Sequence, residues 1–588
     1  MQPRFRLKRT LLLAGAAIGL IVLLVLAFLF SPAYSPPAQT LTFVKDAVAR
    51  QQKIEEGLRA YYQAGKYTFS APLVIQDPYQ TAPLTALVIF DTPENSQISI
   101  HVPGKTPQAA VDVTFPGYQQ HHEIPIYGLY AGTLNHVTLS MKMQNGESEQ
   151  TGIELQTEPL PVNIQNATVD TVDRSKYSPG FNFSLGANQK PVFDIDGNVR
   201  WYSTEVSFQV FTPLKNGRYL FTYKVGDAKY ATIIMEQDLL GKIYAIYNVG
   251  DDIHHDIYEL PNGNMLVTSS FLETGTQEDV ILEVDRNSGH IVRSFDLKDI
   301  LDPNRLPMMG FGPVDWLHLN SIFYDPTDQS IIISSRAQSA VIKLTYPGMQ
   351  IKWILGAHDN WSAKYQPYLL TPVGTGFEWP WEQHDATLYS PDVPGDNIVD
   401  ILLFDNGQYR SFDPASAQSP LEWYSRVVHY RINEAAMTIE QVWEYGKTRG
   451  AAISNSNGGS AYHLPNGDIL GNWGGIGKDA QGIPVREIDV NDTRESKIIE
   501  VDPVTNEVVF EYGMPNTIMY RTLRAGFYDG YSDENTYLSA AMNDTTENDP
   551  ADRSFLAWRD VKQWSYSNPA ILAIRRAGRQ ILAAIKVR

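Results

Sequence analysis

Three rhythms of apolar and polar residues run along the chain. The first is an unbroken apolar run, "LLLAGAAIGLIVLLVLAFLF" at residues 11–30, which carries no charge. At ~1.5 Å per residue a helix of ~20 residues spans the ~30 Å hydrocarbon core of a bilayer, so the run predicts a transmembrane helix. The second rhythm occupies residues 71–160. Short alternating stretches such as "TALVIFDTPENSQISIHVPGK" and "HEIPIYGLYAGTLNHVTLSM" are broken there by Pro, Gly and Asn, the pattern of a small β-sandwich. Between the two lie a Pro-rich linker, "SPAYSPPAQT", and a charged stretch at 41–65 whose composition predicts one helix.

The third rhythm starts near Val192 and repeats. One half of the repeat is a turn leading into a strand: "FDIDGNVRWYS", "MEQDLLGKIYAIYNVG", "EVDRNSGHIVRSFDL", "LTYPGMQIKWILG", "RINEAAMTIEQVWEYG" and "EVDPVTNEVVFEYG". Most of these turns place Asp, Asn or Gly where φ > 0 is needed. The other half is a hairpin: "VFTPLKNGRYLFTY", "HHDIYELPNGNMLVTSS", "HLNSIFYDPTDQSIIISSR", "HDATLYSPDVPGDNIVDILLFDNG" and "GGSAYHLPNGDILGNWGG". A sixth hairpin is degenerate near "MYRTLRAGFYDG", as expected where a ring closes with strands from both ends of the chain.

Each repeat thus supplies about four strands every ~45 to ~85 residues, the dimensions of propeller blades with insertions. The expected fold is all-β, a six-bladed β-propeller preceded by a small β-sandwich and an N-terminal transmembrane helix. The expected domains are 1–35 (basic tip and anchor), 36–70 (linker and helix), 71–162 (sandwich), 163–566 (propeller with the site) and 567–588 (basic amphipathic helix). That last segment, "NPAILAIRRAGRQILAAIKVR", suits either an anionic membrane surface or packing on the propeller.

Composition narrows the function. The 588 residues carry a net charge of -19, which argues against a nucleic-acid partner, because duplex binding needs clustered Lys and Arg. Arg4, Arg6, Lys8 and Arg9 precede the apolar run and favour a cytoplasmic N-terminus, with the body of the protein outside the cytoplasm, at the cell surface or in the periplasm. Ser31-Pro32-Ala33 offers a weak signal-peptidase site, but the length of the run favours an uncleaved anchor. The absence of cysteine excludes disulfides, thiolate metal sites and cysteine nucleophiles.

Superposing the hairpins puts His255, His318 and His384 at about one repeat position, the start of the strand before the turn, with Gly459 in the fifth copy. A propeller gathers equivalent strand ends around its channel, so these imidazoles are expected to converge. His121, His122, His136 and His429 lack this register. Arg336, Arg410, Arg521 and Arg524 emerge from neighbouring hairpins, and guanidinium forks match tetrahedral oxyanions. A small-anion site, for sulfate or phosphate, is the first expectation. The competing use of the histidines is Zn²⁺ or Fe²⁺ held with Asp256 or Asp385, which the arginines disfavour.

Nucleotide machinery is missing. In "NWGGIGKDA", Asn472 stands where a P-loop has its first Gly, and Asp479 follows Lys478 where Ser or Thr is required. "GGSAY" lacks the closing Gly of a nucleophile elbow, and the "DIDG" at Asp194 is a β-turn without later calcium ligands.

Taken together, "APLTALVIFDTPE", "HEIPIYGLYAG", "HHDIYELPNGNML", "DWLHLNSIFYDPTDQSIIISSR", "EQHDATLY", "LLFDNG", "QVWEYGKTRG" and "YRTL" resemble the bacterial aryl-sulfate sulfotransferases over nearly all of the chain beyond the anchor. The resemblance implies a propeller that moves a sulfuryl group from a phenolic sulfate ester to another phenol. It implies a ping-pong mechanism through a transiently sulfated histidine, with neither the nucleotide donor PAPS nor any other cofactor. By motif, His255, His384 and Arg410 fall on positions lining the family's sulfate site.

The resemblance also places the sulfated histidine in the blade after "FDNG", near a Gly-Gly strand. That neighbourhood here is "GNWGGIGKDAQG", which offers Lys478, and the nearest histidine is His463. The candidates are therefore His384 and His463 for catalysis and His255, His318, Asn320, Arg336, Arg410 and Arg521 for substrate. The loop disulfide of some family members is absent. Two other classes stay open: a non-catalytic propeller binding an anion or a partner, and a metal-dependent lyase or hydrolase.

Overall fold

The computed structural model describes residues 38–548, apart from 187–189, 208, 227, 272–274, 390–394, 533–535 and 539–541. The expected anchor at 11–30 and the C-terminal segment at 567–588 lie outside the described residues. Among those described, no helix is long and apolar enough to cross a membrane.

Helix α1 (Ala38–Ala64) occupies the stretch where one helix was expected. Its buried positions Val44, Ala47, Gln51, Glu55 and Leu58 recur every three or four residues and form one stripe. The polar members of that stripe pin it to the body. Gln51 brackets the backbone of Ile243, donating to its carbonyl at 2.8 Å and accepting from its N–H at 2.8 Å, and Glu55 accepts from the buried Lys242 at 2.7 Å.

The region expected as a β-sandwich is one connected antiparallel unit of six strands, in which the 17-residue strand Ala86–Val102 pairs with four others. A register shift between Asp91 and Ser96 divides it. Its first half pairs with Leu73–Gln76 and Gln119–Ile126, and its second half with Val111–Thr114 and Leu134–Met143. One long divided strand therefore does the work of two short ones.

The rest is all-β. Antiparallel four-stranded groups follow one another along the chain, each matching a turn-strand and hairpin repeat. Their inner strands are buried on both faces, and the two faces feed different cores. In Ser330–Ser335, Ile331 and Ile333 join one cluster and Ile332 joins the next. Ile401 and Leu403 against Leu402 and Phe404 divide in the same way. Period-two alternation thus glues sheet to sheet instead of sheet to solvent, and each such side chain contributes about 1.5–3 kcal/mol.

The first strand of each group carries the site. These are β1 (Phe211–Pro213), β2 (Ile243–Glu259), β3 (Leu319–Asp325), β4 (His384–Leu388), β5 (Ser460–His463) and β6 (Met519–Ala525). Strand β2 is long enough to be the last strand of one group and the first of the next, which merges two groups into an eight-stranded sheet. Strand β6 pairs with Phe181–Gly186, so this group mixes strands from distant parts of the sequence. From β2 to β6, each of these strands touches the next in order, and β1 touches β2.

Candidate functional site

Hydrogen bonds between neighbouring first strands give the register directly. Asp256 Oδ2 accepts from Ile322 N at 3.0 Å, Ser321 Oγ from Ala386 N at 3.2 Å, and Ser460 Oγ from Thr522 N at 3.1 Å. Asp385 is held by the backbone of Ala461 in the same fashion. Asp256, Ser321, Asp385 and Ser460 are therefore equivalent, and the residues before them are His255, Asn320, His384 and Gly459. Tyr520, just before Arg521 in β6, completes the set. The sequence register held for His255, His384 and Gly459 but was two residues off in β3, where Asn320 and not His318 takes the repeat position.

Strands β2, β3, β4 and β6 are bulged at that point, whereas β5 pairs without a shift. Register shifts fall between Ile253 and Ile257, Leu319 and Ser321, His384 and Thr387, and Met519 and Arg521. Bulges re-aim side chains at the end of a strand. Left-handed backbone accompanies them at His255 (φ 53), His318 (φ 49) and Asp385 (φ 54), a conformation that costs of order 1–3 kcal/mol without glycine.

The bulges bring the buried imidazoles of His255 and His384 together with the half-buried one of His318. His255 and His318 rings lie 5.0 Å apart, and Tyr520 stands 5.7 Å from His255 and 5.9 Å from His384. Their electrostatics differ. His318 Nδ1 meets Asp315 Oδ2 at 2.8 Å and Glu278 Oε2 at 2.9 Å. Burial opposes its charge, but the two carboxylates outweigh it and raise its pKa to about 9. Burial, reinforced by the cationic Arg336, holds His384 well below the ordinary imidazole range. His255 is likewise lowered by burial, and its Nδ1 lies 3.0 Å from Nδ1 of His254.

His384 also has a defined tautomer. Asn406 donates its Nδ2 to the carbonyls of Gly458 (3.0 Å) and Asn455 (3.4 Å), which turns its Oδ1 toward His384 Nδ1 at 2.7 Å. The proton must then sit on Nδ1, and the Nε2 lone pair is left without a protein partner among the described residues.

Arg336 is the arginine nearest this chemistry. Its Nε donates to Glu382 Oε2 at 3.1 Å and its Nη2 to the Ser456 carbonyl at 3.0 Å, and its charge is felt at both His255 and His384. Asn320 donates to the Gln383 carbonyl at 2.7 Å and keeps a buried Oδ1 without a partner.

The other expected residues are placed differently. Arg521 is clamped between Asp256 (2.9 Å) and Asp385 (3.2 Å), which forms a charged floor beneath the imidazoles. The same clamp occupies the two carboxylates expected to complete a metal site. Arg410 is committed to Asp405 and the Tyr424 carbonyl, both at 3.1 Å, and stacks on the Tyr424 ring at 3.6 Å. Arg524 pairs with the buried Glu500. His463 lies at the far end of β5, about 13 Å from Gly459 by strand rise, and packs 4.3 Å from the Tyr389 ring. Lys478 ends the strand Ile469–Lys478, paired with Thr493. Accordingly, His463→Ala is expected to keep transfer activity within about twofold, since no contact to the imidazoles is lost. A thousandfold loss in the same assay would return the nucleophile's role to His463.

Sequence reasoning missed Glu278, Asn406, Tyr520 and Arg486. Arg486 reaches Glu382 Oε2 at 3.1 Å beside Arg336, and both guanidinium groups lie over the Phe311 ring. Asn406 and Tyr520 sit inside or against motifs already singled out, "FDNG" and "YRTL". Two groups could hold a divalent ion, His254 with His255 and Glu278, and Glu278 with Asp315 and His318. In the second group the convergence of two carboxylates on one imidazole nitrogen is also satisfied by a proton.

A histidine with a free Nε2, acted on by the charges of a cationic histidine and an arginine, suits transfer of an anionic group. Comparisons agree. A family model described as Arylsulfotransferase (ASST) matches residues 166–521, and one described as Arylsulfotransferase Ig-like domain matches residues 73–158. Arylsulfate sulfotransferase AssT of Escherichia coli O6:H1 is 27% identical over 76% of this chain and 92% of its own length. The protein of the same name from Lelliottia amnigena is 25% identical over 83% and 98%. Among solved structures, the Dos1 propeller aligns over 60% of this chain and 84% of its own with a TM-score of 0.28 at 11% identity, too low to carry an argument. The chain belongs to the arylsulfotransferase family.

Proposed function

We propose that the protein moves a sulfuryl group from a phenolic sulfate ester to a phenolic acceptor by a ping-pong route through sulfated His384. The observation that carries this reading is the Asn406–His384 hydrogen bond, which leaves a neutral imidazole with its Nε2 lone pair available. The Nε2 lone pair attacks sulfur, the N–S bond forms as the S–O(aryl) bond breaks, and the leaving phenolate takes a proton from His318. The acceptor phenol then gives its proton to neutral His318 as its oxygen attacks sulfur, and the N–S bond electrons return to His384. Arg336, His255 and Asn320 surround the sulfuryl oxygens. On this reading the four-stranded groups close as a six-bladed propeller whose channel mouth is the site.

The charges set a pH dependence. The donor half-reaction needs His318 protonated and His384 neutral. Because the His318 pKa is raised to about 9 and that of His384 lies well below 6.5, kcat/KM for a donor with a basic leaving group, such as phenyl sulfate, is expected to be flat across neutral pH. It should fall about tenfold per unit above pH ~9. A rate already falling between pH 6 and 8 would contradict these protonation states.

The test of function is release of yellow nitrophenolate from 4-nitrophenyl sulfate by the purified protein, with and without a phenol acceptor. Acceptor-dependent release is expected. Its absence would favour a non-catalytic, anion-binding role for the same channel. The uncharged run at 11–30 behind Arg4, Arg6, Lys8 and Arg9 supports a membrane-anchored, extracytoplasmic placement. Extraction from membranes by alkaline carbonate would overturn it.

A further inference from the structure

Behind the imidazoles lies a carboxylate that no motif singled out. Glu278 is buried, stands in left-handed backbone (φ 57), and touches three separate elements. Its Oε1 accepts from the Tyr230 hydroxyl at 2.6 Å. Its Oε2 lies 2.9 Å from His318 Nδ1 and 3.7 Å from His255 Nδ1. Its backbone is fixed as well, with N–H on Ser270 Oγ at 2.8 Å and C=O accepting from Leu319 N at 3.0 Å. A side chain held at both ends in this way cannot drift with its rotamers.

We infer that Glu278 is a positioning residue for the transfer reaction: Asp315 takes the hydrogen bond of His318 Nδ1, and the Glu278 carboxylate 2.9 Å away keeps the ring protonated on both nitrogens, so that Nε2–H is a donor to the leaving phenolate oxygen. This rests on the sulfuryl-transfer reading above. The charged and titratable groups facing His318 are Asp315 on its own segment, Glu278, and the neutral His254, His255 and His384; those facing Glu278 are Tyr230, Tyr520, His254, His255 and His318. Two carboxylates converge on one imidazole, and no arginine or lysine pairs with Glu278 among the described residues. The positive charge they require is therefore carried by His318, whose pKa is raised to about 9. His255 stands farther from Oε2 and faces Nδ1 of His254 at 3.0 Å, which suits one shared hydrogen bond and no added charge. A single carboxylate thus divides the labour, with one histidine as proton donor and the other left neutral.

The experiment compares Glu278→Gln, Glu278→Asp and Tyr230→Phe on two donors whose leaving groups differ in basicity, 4-nitrophenyl sulfate and phenyl sulfate. 4-Nitrophenolate leaves with little help from an acid, whereas phenolate needs its proton. Glu278→Gln is expected to lose less than about fivefold in kcat with the nitrophenyl ester and more than about fiftyfold with the phenyl ester. Glu278→Asp and Tyr230→Phe should lie between it and wild type. Equal losses on both donors, or none, would overturn the assignment, because a merely structural defect does not discriminate leaving groups.

A second readout does not depend on turnover. In protein labelled with ¹³C on the histidine ring, the His318 resonance, assigned through His318→Gln, should be that of an imidazolium at pH 8 in wild type and of a neutral ring in Glu278→Gln. An unchanged resonance overturns the proposal. If wild type transfers no sulfuryl group yet this resonance shifts, the transfer reading falls, and what stands is that Glu278 keeps His318 protonated.

Discussion

Replacing His384 by Asn is expected to abolish sulfuryl transfer, with a fall in kcat of at least about a thousandfold and no change in the circular dichroism spectrum. The size follows from chemistry: without Nε2 there is no covalent intermediate, and the remaining donors supply only charge stabilisation, as when other enzymes lose their nucleophile. The fold should tolerate the change, because Asn can keep a donor near Asn406 Oδ1 and the strand already enters the site through a bulge. Adding free imidazole is expected to restore part of the donor half-reaction. A variant retaining more than a tenth of wild-type activity would rule His384 out as nucleophile.

The second large effect is expected at Arg336. Removing one donor aimed at developing negative charge typically costs about 10²–10³ in kcat, some 3–4 kcal/mol, and Arg336→Gln should fall in that range. Two features make this more specific than a general loss. Arg336 is among the causes that lower the His384 pKa, so the acidic limb of the pH profile should move upward in Arg336→Gln, the direction expected when a neighbouring cation is removed. Glu382 would also lose one of its two guanidinium partners but keep Arg486, which limits the structural damage. Steady-state kinetics across pH, with Arg336→Lys as the charge-preserving control, measures both effects. Loss of activity with an unmoved acidic limb would show that Arg336 acts only on Glu382.

The repeat was legible because tight turns are written in the sequence. The "LPNGN" and "LPNGD" hairpins align His255 with Gly459 without reference to any coordinates, and the structure kept that register. It failed in β3 because the histidine of "HLNSIFYDP" drew the alignment two residues out of step: six residues separate Pro261 from His255, and the same count back from Pro326 reaches Asn320 and not His318. Arginines were less legible still. Arg521 lies inside β6 and Arg410 in the loop after the strand Ile398–Asp405, and their partners Asp256, Asp385 and Asp405 decide what the guanidinium groups do. Asp256 lies 265 positions before Arg521, beyond the reach of local pattern. The position of His463 was legible in the other direction. The turn count that equates Gly459 with His255 equates His463 with Glu259, four residues farther along the strand from the site. Glu278 was hidden because an acidic residue ahead of a strand resembles any solvated turn.

The central claim is that His384 carries the sulfuryl group between donor and acceptor. Its most direct test is incubation of the purified protein with 4-nitrophenyl sulfate and no acceptor, followed by rapid quenching under alkaline conditions and peptide mass spectrometry. The account predicts one sulfuryl increment, on the peptide containing His384, that disappears when a phenol is added before quenching. An increment on another residue, or acceptor-dependent turnover with no increment at all, would contradict it.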